Sequence, residues 1–177
     1  MKGASINKRE SLIWLCIIFV ISVAMFLTGC PSNQEGKQQN LKAFDFSLKT
    51  IEGEEIQLKS YQGKEIVHLA FWATWCPSCL MEIPKLKNLY YAAENKPYEV
   101  LSINVGLNDS IERVKQTQAK YQLPYKILFD GTGEVSKRYG IIGVPTHIII
   151  NKEGMVIDRL NQLPENPKAY LAQVFSQ

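Results

Sequence analysis

The chain places Trp75-Cys76-Pro77-Ser78-Cys79 between a run with the marks of a buried strand and a run with the marks of a helix. No other stretch constrains the fold as much. Glu65 to Ala73 (EIVHLAFWA) is mostly apolar, as expected of a central strand covered on both faces. Pro77 suits the first turn of a helix, where its missing N–H is not needed, and the predicted helix runs to about Asn95 with Pro84 inside it as an expected kink. Two thiols at this spacing can close a small, exchangeable disulfide. If Cys76 stands at the helix N-terminus, the dipole and the free N–H groups favour its thiolate. Thiol–disulfide exchange of this kind needs neither a metal nor an organic cofactor.

The N-terminal end predicts where such a pair works. Lys2, Lys8 and Arg9 precede an apolar run of 16 residues from Leu12 to Leu27, the form of an export signal and short of the roughly 20 residues that span a bilayer. Leu27-Thr28-Gly29-Cys30 resembles the bacterial lipobox, in which the cysteine accepts diacylglycerol and the signal is cut ahead of it. Residues 1–29 are thus expected to be a lipoprotein signal peptide, and residues 30–40 a lipidated cysteine and polar tether. The alternative is an uncleaved signal anchor with an incidental Cys30. On either view the soluble part faces outward, held at the cell membrane. Loss of residues 1–29 leaves 17 basic and 16 acidic groups, and nothing suggests nucleic acid. It also removes Cys16, so that Cys76 and Cys79 are the only unmodified thiols left. A lone pair closing so short a loop adds little stability as a staple, which favours a redox centre.

Residues 41–177 read as one domain of the α/β class. Phe44, Phe46 and Leu48, then Ile56 and Leu58, alternate with polar residues as a strand pair ahead of the main fold. Strands are expected at Tyr98–Val105, Lys126–Phe129, Thr146–Ile150 and Met155–Leu160. Helices are expected from the Asn108-Asp109-Ser110 caps to Tyr121, over Glu134–Tyr139, and from Asn166 or Pro167 toward Phe175.

Phe71-Trp72-Ala73-Thr74-Trp75-Cys76-Pro77-Ser78-Cys79 together with the distant Tyr139-Gly140-Ile141-Ile142-Gly143-Val144-Pro145-Thr146 resembles the thioredoxin superfamily and, more narrowly, its membrane-tethered thiol–disulfide oxidoreductases of the ResA and TlpA type. The resemblance implies a central mixed sheet flanked by helices. It makes Cys76 the partly exposed attacking thiol and Cys79 the deeper resolving thiol. Pro145 corresponds to a cis-proline beside the sulfurs, aiming the Val144 backbone at an incoming peptide. Trp75 is expected to be the exposed tryptophan that can contact substrate, and Trp72 to be core. Glu82 corresponds to a glutamate beneath the active site, with a raised pKa and the role of taking the Cys79 proton. Thioredoxin's own buried aspartate on the preceding strand is replaced here by Ala70, which makes Glu82 more necessary. His68 reads as a satisfied core residue; His147, two residues after Pro145, reads as an ordinary strand position, the alternative being a place close enough to influence thiolate charge. The implied partners are exported proteins with cysteine pairs, such as apocytochrome c, and a membrane thiol-reducing electron donor.

Rival chemistries have weaker support. A structural zinc wants four ligands, and only one cysteine pair with His68 and His147 is available. A peroxiredoxin would carry proline and threonine where Leu69 and Ala73 stand before Cys76. Within thiol exchange, a reductant of selected exported proteins is expected, with a disulfide oxidase or isomerase of exported proteins as the alternative. A non-catalytic binding lipoprotein is the reading from another class.

Overall fold

The computed structural model describes residues 41–176. The expected export signal, Cys16, Cys30 and the tether to Asn40 lie outside the described residues. Among the described residues no helix is long and apolar enough to cross a membrane.

The apolar run becomes strand β3 (Ile66–Trp72), buried along its whole length because it has neighbours on both sides and helices on both faces. In the five-stranded sheet it lies between β4 (Tyr98–Asn104) and β6 (Thr146–Ile150), with β5 (Lys126–Phe129) and β7 (Val156–Leu160) at the edges. β3, β4 and β5 run parallel, whereas β6 and β7 pair antiparallel. The sheet is therefore mixed, as expected. Register fixes its two faces. Val67, Leu69 and Phe71 share an apolar face with Leu101, Ile103, Ile148 and Ile150. The opposite face carries His68 and Ala70 with Tyr98, Ser102 and His147. Truncating a fully buried residue such as Leu69 to alanine costs about 2–5 kcal/mol by lost transfer energy and the cavity left behind.

The N-terminal strand pair forms as β1 (Ser47–Lys49) and β2 (Glu55–Gln57), shorter than the alternation suggests because Leu58 already opens a 3-10 turn, Leu58–Tyr61. This segment reaches both edges of the main sheet. Thr50 and Ile51 pair with β5, and Lys42 bridges to Met155 beside β7. Such cover removes bare strand edges that would otherwise template association.

Helix α1 (Pro77–Ala92) follows β3 directly, and Pro84 sits on its exposed side, where the carbonyl left without an N–H partner can meet water. Helix α2 (Ile111–Tyr121) is capped by Ser110, α3 (Glu134–Arg138) is a short turn of helix, and α4 (Pro167–Phe175) is capped by Asn166. Gly106 ends the β4 run with φ +72°, and a Cβ there would run into the backbone carbonyl of Asp130, so the loop entering α2 requires glycine.

Candidate active site

Cys76 is the N-cap of α1, and its Sγ accepts a hydrogen bond from the Cys79 N–H at 3.2 Å. Cys76 and Cys79 are joined in a disulfide. The Ser78 hydroxyl lies 3.3 Å from Cys76 Sγ, and the Val144 carbonyl oxygen lies 3.5 Å away on the other side. Once the bond is reduced, a Cys76 thiolate would thus meet one N–H, one hydroxyl and the positive end of a 16-residue helix, all of which favour the anion. The Val144–Pro145 peptide is cis.

One expectation is corrected here. Cys76 is not partly exposed in the disulfide form: at 4% it is as buried as Cys79 at 5%, enclosed by Ser78 and by the segment carrying Val144. What is exposed is the apolar rim. Trp75, Leu107 and Ile142 stand in solvent around a groove that Val144 also lines, and Met81 stands out beside Ser78 and Pro145. Trp72 is buried, as expected of a core residue.

The loop that delivers Cys76 is held by Asp109. Its carboxylate accepts the Thr74 N–H at 2.8 Å, the Thr74 hydroxyl at 2.7 Å and the Asn104 side-chain amide at 2.8 Å. Burial pushes the Asp109 carboxyl up, but these hydrogen bonds outweigh it and hold the group below its ordinary value. Trp75 adds a bond from its indole N–H to the Leu107 carbonyl at 2.7 Å. The sequence presents Asp109 only as a helix cap, whereas Ser110 fills that role and Asp109 clamps the reactive loop.

Glu82 lies one turn beyond Cys79, and the two line a small cavity with Ala70, Trp72, Pro145 and His147. At about 20 Å³ it has room for one water. Trp72, which also lines that cavity, has a buried indole N–H with no partner among the described residues. Glu82 is itself buried and accepts two hydrogen bonds, from the Leu163 N–H and from His147 Nε2 at 3.0 Å. The expected raised pKa is therefore corrected. Burial pushes the carboxyl up, but the bonds from His147 and Leu163, with the charge of Lys85, prevail and hold it below the ordinary glutamate value.

The two histidines that a zinc site would need are instead bonded to each other. His68 Nε2 is 2.9 Å from His147 Nδ1, and the Tyr98 hydroxyl is 3.1 Å from His68 Nδ1. Among the described residues no group of three or more histidine, cysteine, aspartate or glutamate side chains is placed to hold a metal ion. His68 is the satisfied core residue expected of it. His147 is more than a strand position, since it joins that core to Glu82.

A disulfide capping the first long helix of such a sheet, next to a cis-proline and above a buried carboxylate, defines a thioredoxin-like thiol–disulfide oxidoreductase. Comparison with known proteins agrees: the chain belongs to the AhpC/TSA family, which matches residues 40–159. It is 32% identical over 173 residues to the thiol-disulfide oxidoreductase ResA of Bacillus cereus, covering 95% of this chain and 98% of that relative. It is 30% identical over 152 residues to the sporulation thiol-disulfide oxidoreductase A of Bacillus subtilis, covering 85% and 88%. The crystal structure of StoA from Bacillus subtilis superposes with a TM-score of 0.63 at 26% identity, over 76% of this chain and 98% of that one.

Proposed function

We propose that this enzyme is a lipid-anchored, extracytoplasmic reductant of cysteine pairs in exported proteins. The Cys76 thiolate attacks one sulfur of a substrate disulfide; that bond breaks, the other substrate sulfur leaves as a thiolate, and Cys76 is held in a mixed disulfide. Cys79 gives its proton to Glu82, and its thiolate attacks Cys76 Sγ. The Cys76–Cys79 disulfide closes as the second substrate sulfur leaves. Two electrons have passed to the substrate, whose two thiolates take up protons. A membrane thiol-reducing protein would return the electrons by the same exchange in reverse.

The observation that carries this reading is the buried Glu82 carboxylate lining one small cavity with Cys79. A reductant must deprotonate a buried resolving thiol, and Glu82 is the carboxylate that shares its cavity. Trp75, Val144 and Pro145 border the sulfurs, and the exposed Leu107, Ile142 and Met81 suit an unfolded polypeptide more than a small polar molecule. Lipid on Cys30 would hold the domain at the outer face of the cell membrane. Apocytochrome c, with its closely spaced cysteines, is the substrate class that the likeness to ResA suggests.

The test is the reduction potential of the full chain in detergent, equilibrated with dithiol buffers. A reductant should lie on the reducing side of about −180 mV, the range of protein disulfide isomerase. A value near about −120 mV, that of a strong oxidant, contradicts the direction proposed.

A further inference from the structure

The bonds on Glu82 continue away from the cysteines. His147 Nε2 lies 3.0 Å from Glu82 Oε2, and on the other side of the ring His147 Nδ1 lies 2.9 Å from His68 Nε2. The Tyr98 hydroxyl lies 3.1 Å from His68 Nδ1. Three neighbouring strands thus support the carboxylate of α1, β6 with His147, β3 with His68 and β4 with Tyr98. All four side chains are buried, His68 completely.

What each nitrogen does follows from the end nearest the sulfurs. To take a proton from Cys79, Glu82 must start as a carboxylate, and a carboxylate only accepts hydrogen bonds. His147 therefore has to present Nε2–H. In the neutral imidazole that leaves Nδ1 as an acceptor, which His68 meets with its own Nε2–H, and His68 Nδ1 in turn accepts from the Tyr98 hydroxyl. Burial, then the neighbouring His147, hold the His68 pKa far below the ordinary histidine value, so that ring stays neutral. Reversing the neutral rings would set a bare His147 Nε2 against a carboxylate oxygen, two acceptors 3.0 Å apart with no proton between them. Only a Glu82 already protonated, and so unable to act as a base, would relieve that.

No proton moves along this line. Glu82 Oε2 accepts from His147 and Oε1 from the Leu163 N–H, and each oxygen keeps a further lone pair. The proton leaving Cys79 goes onto one of those free lone pairs. One S–H bond breaks, one O–H bond forms, and both histidines keep the protons they had.

We propose that His147, backed by His68, is a positioning residue of the exchange reaction, holding the Glu82 carboxylate in place and in its accepting form for the proton of Cys79. This rests on Glu82 being that proton's acceptor. Both histidines act on the sulfurs only through Glu82. Burial raises the pKa of Glu82, and among the contacts that lower it the His147 bond comes first. The other titratable groups facing the carboxylate are Cys79 and Lys85 from α1, and Tyr125, which lines the same cavity from the segment ahead of β5. Asp158 from β7 faces Tyr98, and the Tyr170 hydroxyl of α4 donates to Asp158 at 3.0 Å.

Imidazole nitrogen shifts report the tautomer and can be read by NMR in the full chain in detergent, without any substitution. At neutral pH His147 should carry a proton on Nε2; a bare Nε2 there overturns the proposal. The kinetic arm mixes the reduced chain with a small disulfide in large excess and follows, against pH, the first-order closure of Cys76–Cys79 after the mixed disulfide forms. His147→Leu should move the acid limb of that profile upward, slowing closure by about tenfold near about pH 5 and converging on the parent rate toward about pH 8. His147→Gln, whose amide can donate from much the same place, should restore most of the lost rate. Slowing of His147→Leu by one factor at every pH, an unmoved profile, or no rescue by His147→Gln overturns the positioning role, and a slow Glu82→Gln then spares the glutamate. Unchanged closure in Glu82→Gln overturns both.

Discussion

Cys76 caps the helix that carries Cys79, its sulfur accepting the Cys79 N–H at 3.2 Å. Both sulfurs are thus placed by one helix start. The same backbone donor that caps the helix would also stabilise a Cys76 thiolate once the disulfide is reduced. Fold and reactivity share one local cause, and the rest of the site adjusts it.

Replacing Glu82 by glutamine tests the proton acceptor. Exchange through Cys79 should slow by about a hundredfold near neutral pH, the ordinary worth of a placed general base. The thiol of Cys79 should titrate lower in the variant, since a negative charge beside it has gone. Glu82 is also held below its ordinary value in the folded chain, so it contributes stability that is present above about pH 4.3 and is lost as pH falls through the folded value. Denaturant unfolding from about pH 3 to about pH 7 should show that loss in the parent and a flatter profile in Glu82→Gln. Equal rates and equal profiles would return Glu82 to a merely structural role.

Asp109→Ala tests the clamp on the reactive loop. It removes the acceptor of the Thr74 N–H, the Thr74 hydroxyl and the Asn104 amide, and should cost about 2 kcal/mol at pH 7 by denaturant unfolding. The sign with pH follows from its lowered pKa. The contribution is full above about pH 3.9 and disappears as the folded carboxyl takes up its proton, so parent and variant should converge in acid. A constant difference between them down to pH 3 would mean that the carboxylate's charge does not matter here.

Much of this was legible in the sequence, for reasons that particular residues make clear. β3 and α1 could be placed because a continuous apolar run, a proline at a first helical turn and two cysteines are local signals. The histidine pair could not be seen. His68 and His147 are 79 residues apart, and only the pairing of Ala70 with His147 across β3 and β6 brings them within bonding distance. The direction of the Glu82 shift was hidden for the same reason, since its two donors lie 65 and 81 residues downstream. Burial of Cys76 likewise depends on the distant segment that carries Val144. Asp109 was visible as a residue but not as a clamp, because Thr74, 35 residues earlier, supplies the groups that it holds.

The central claim is that Cys76 attacks and Cys79 resolves. Mixing Cys79→Ala and Cys76→Ala variants with a protein bearing an accessible disulfide, then separating the products without reductant, tests it directly. Cys79→Ala should accumulate a mixed disulfide through Cys76, and Cys76→Ala should accumulate almost none. Equal trapping by the two variants, or trapping through Cys79 alone, would contradict the roles assigned to them.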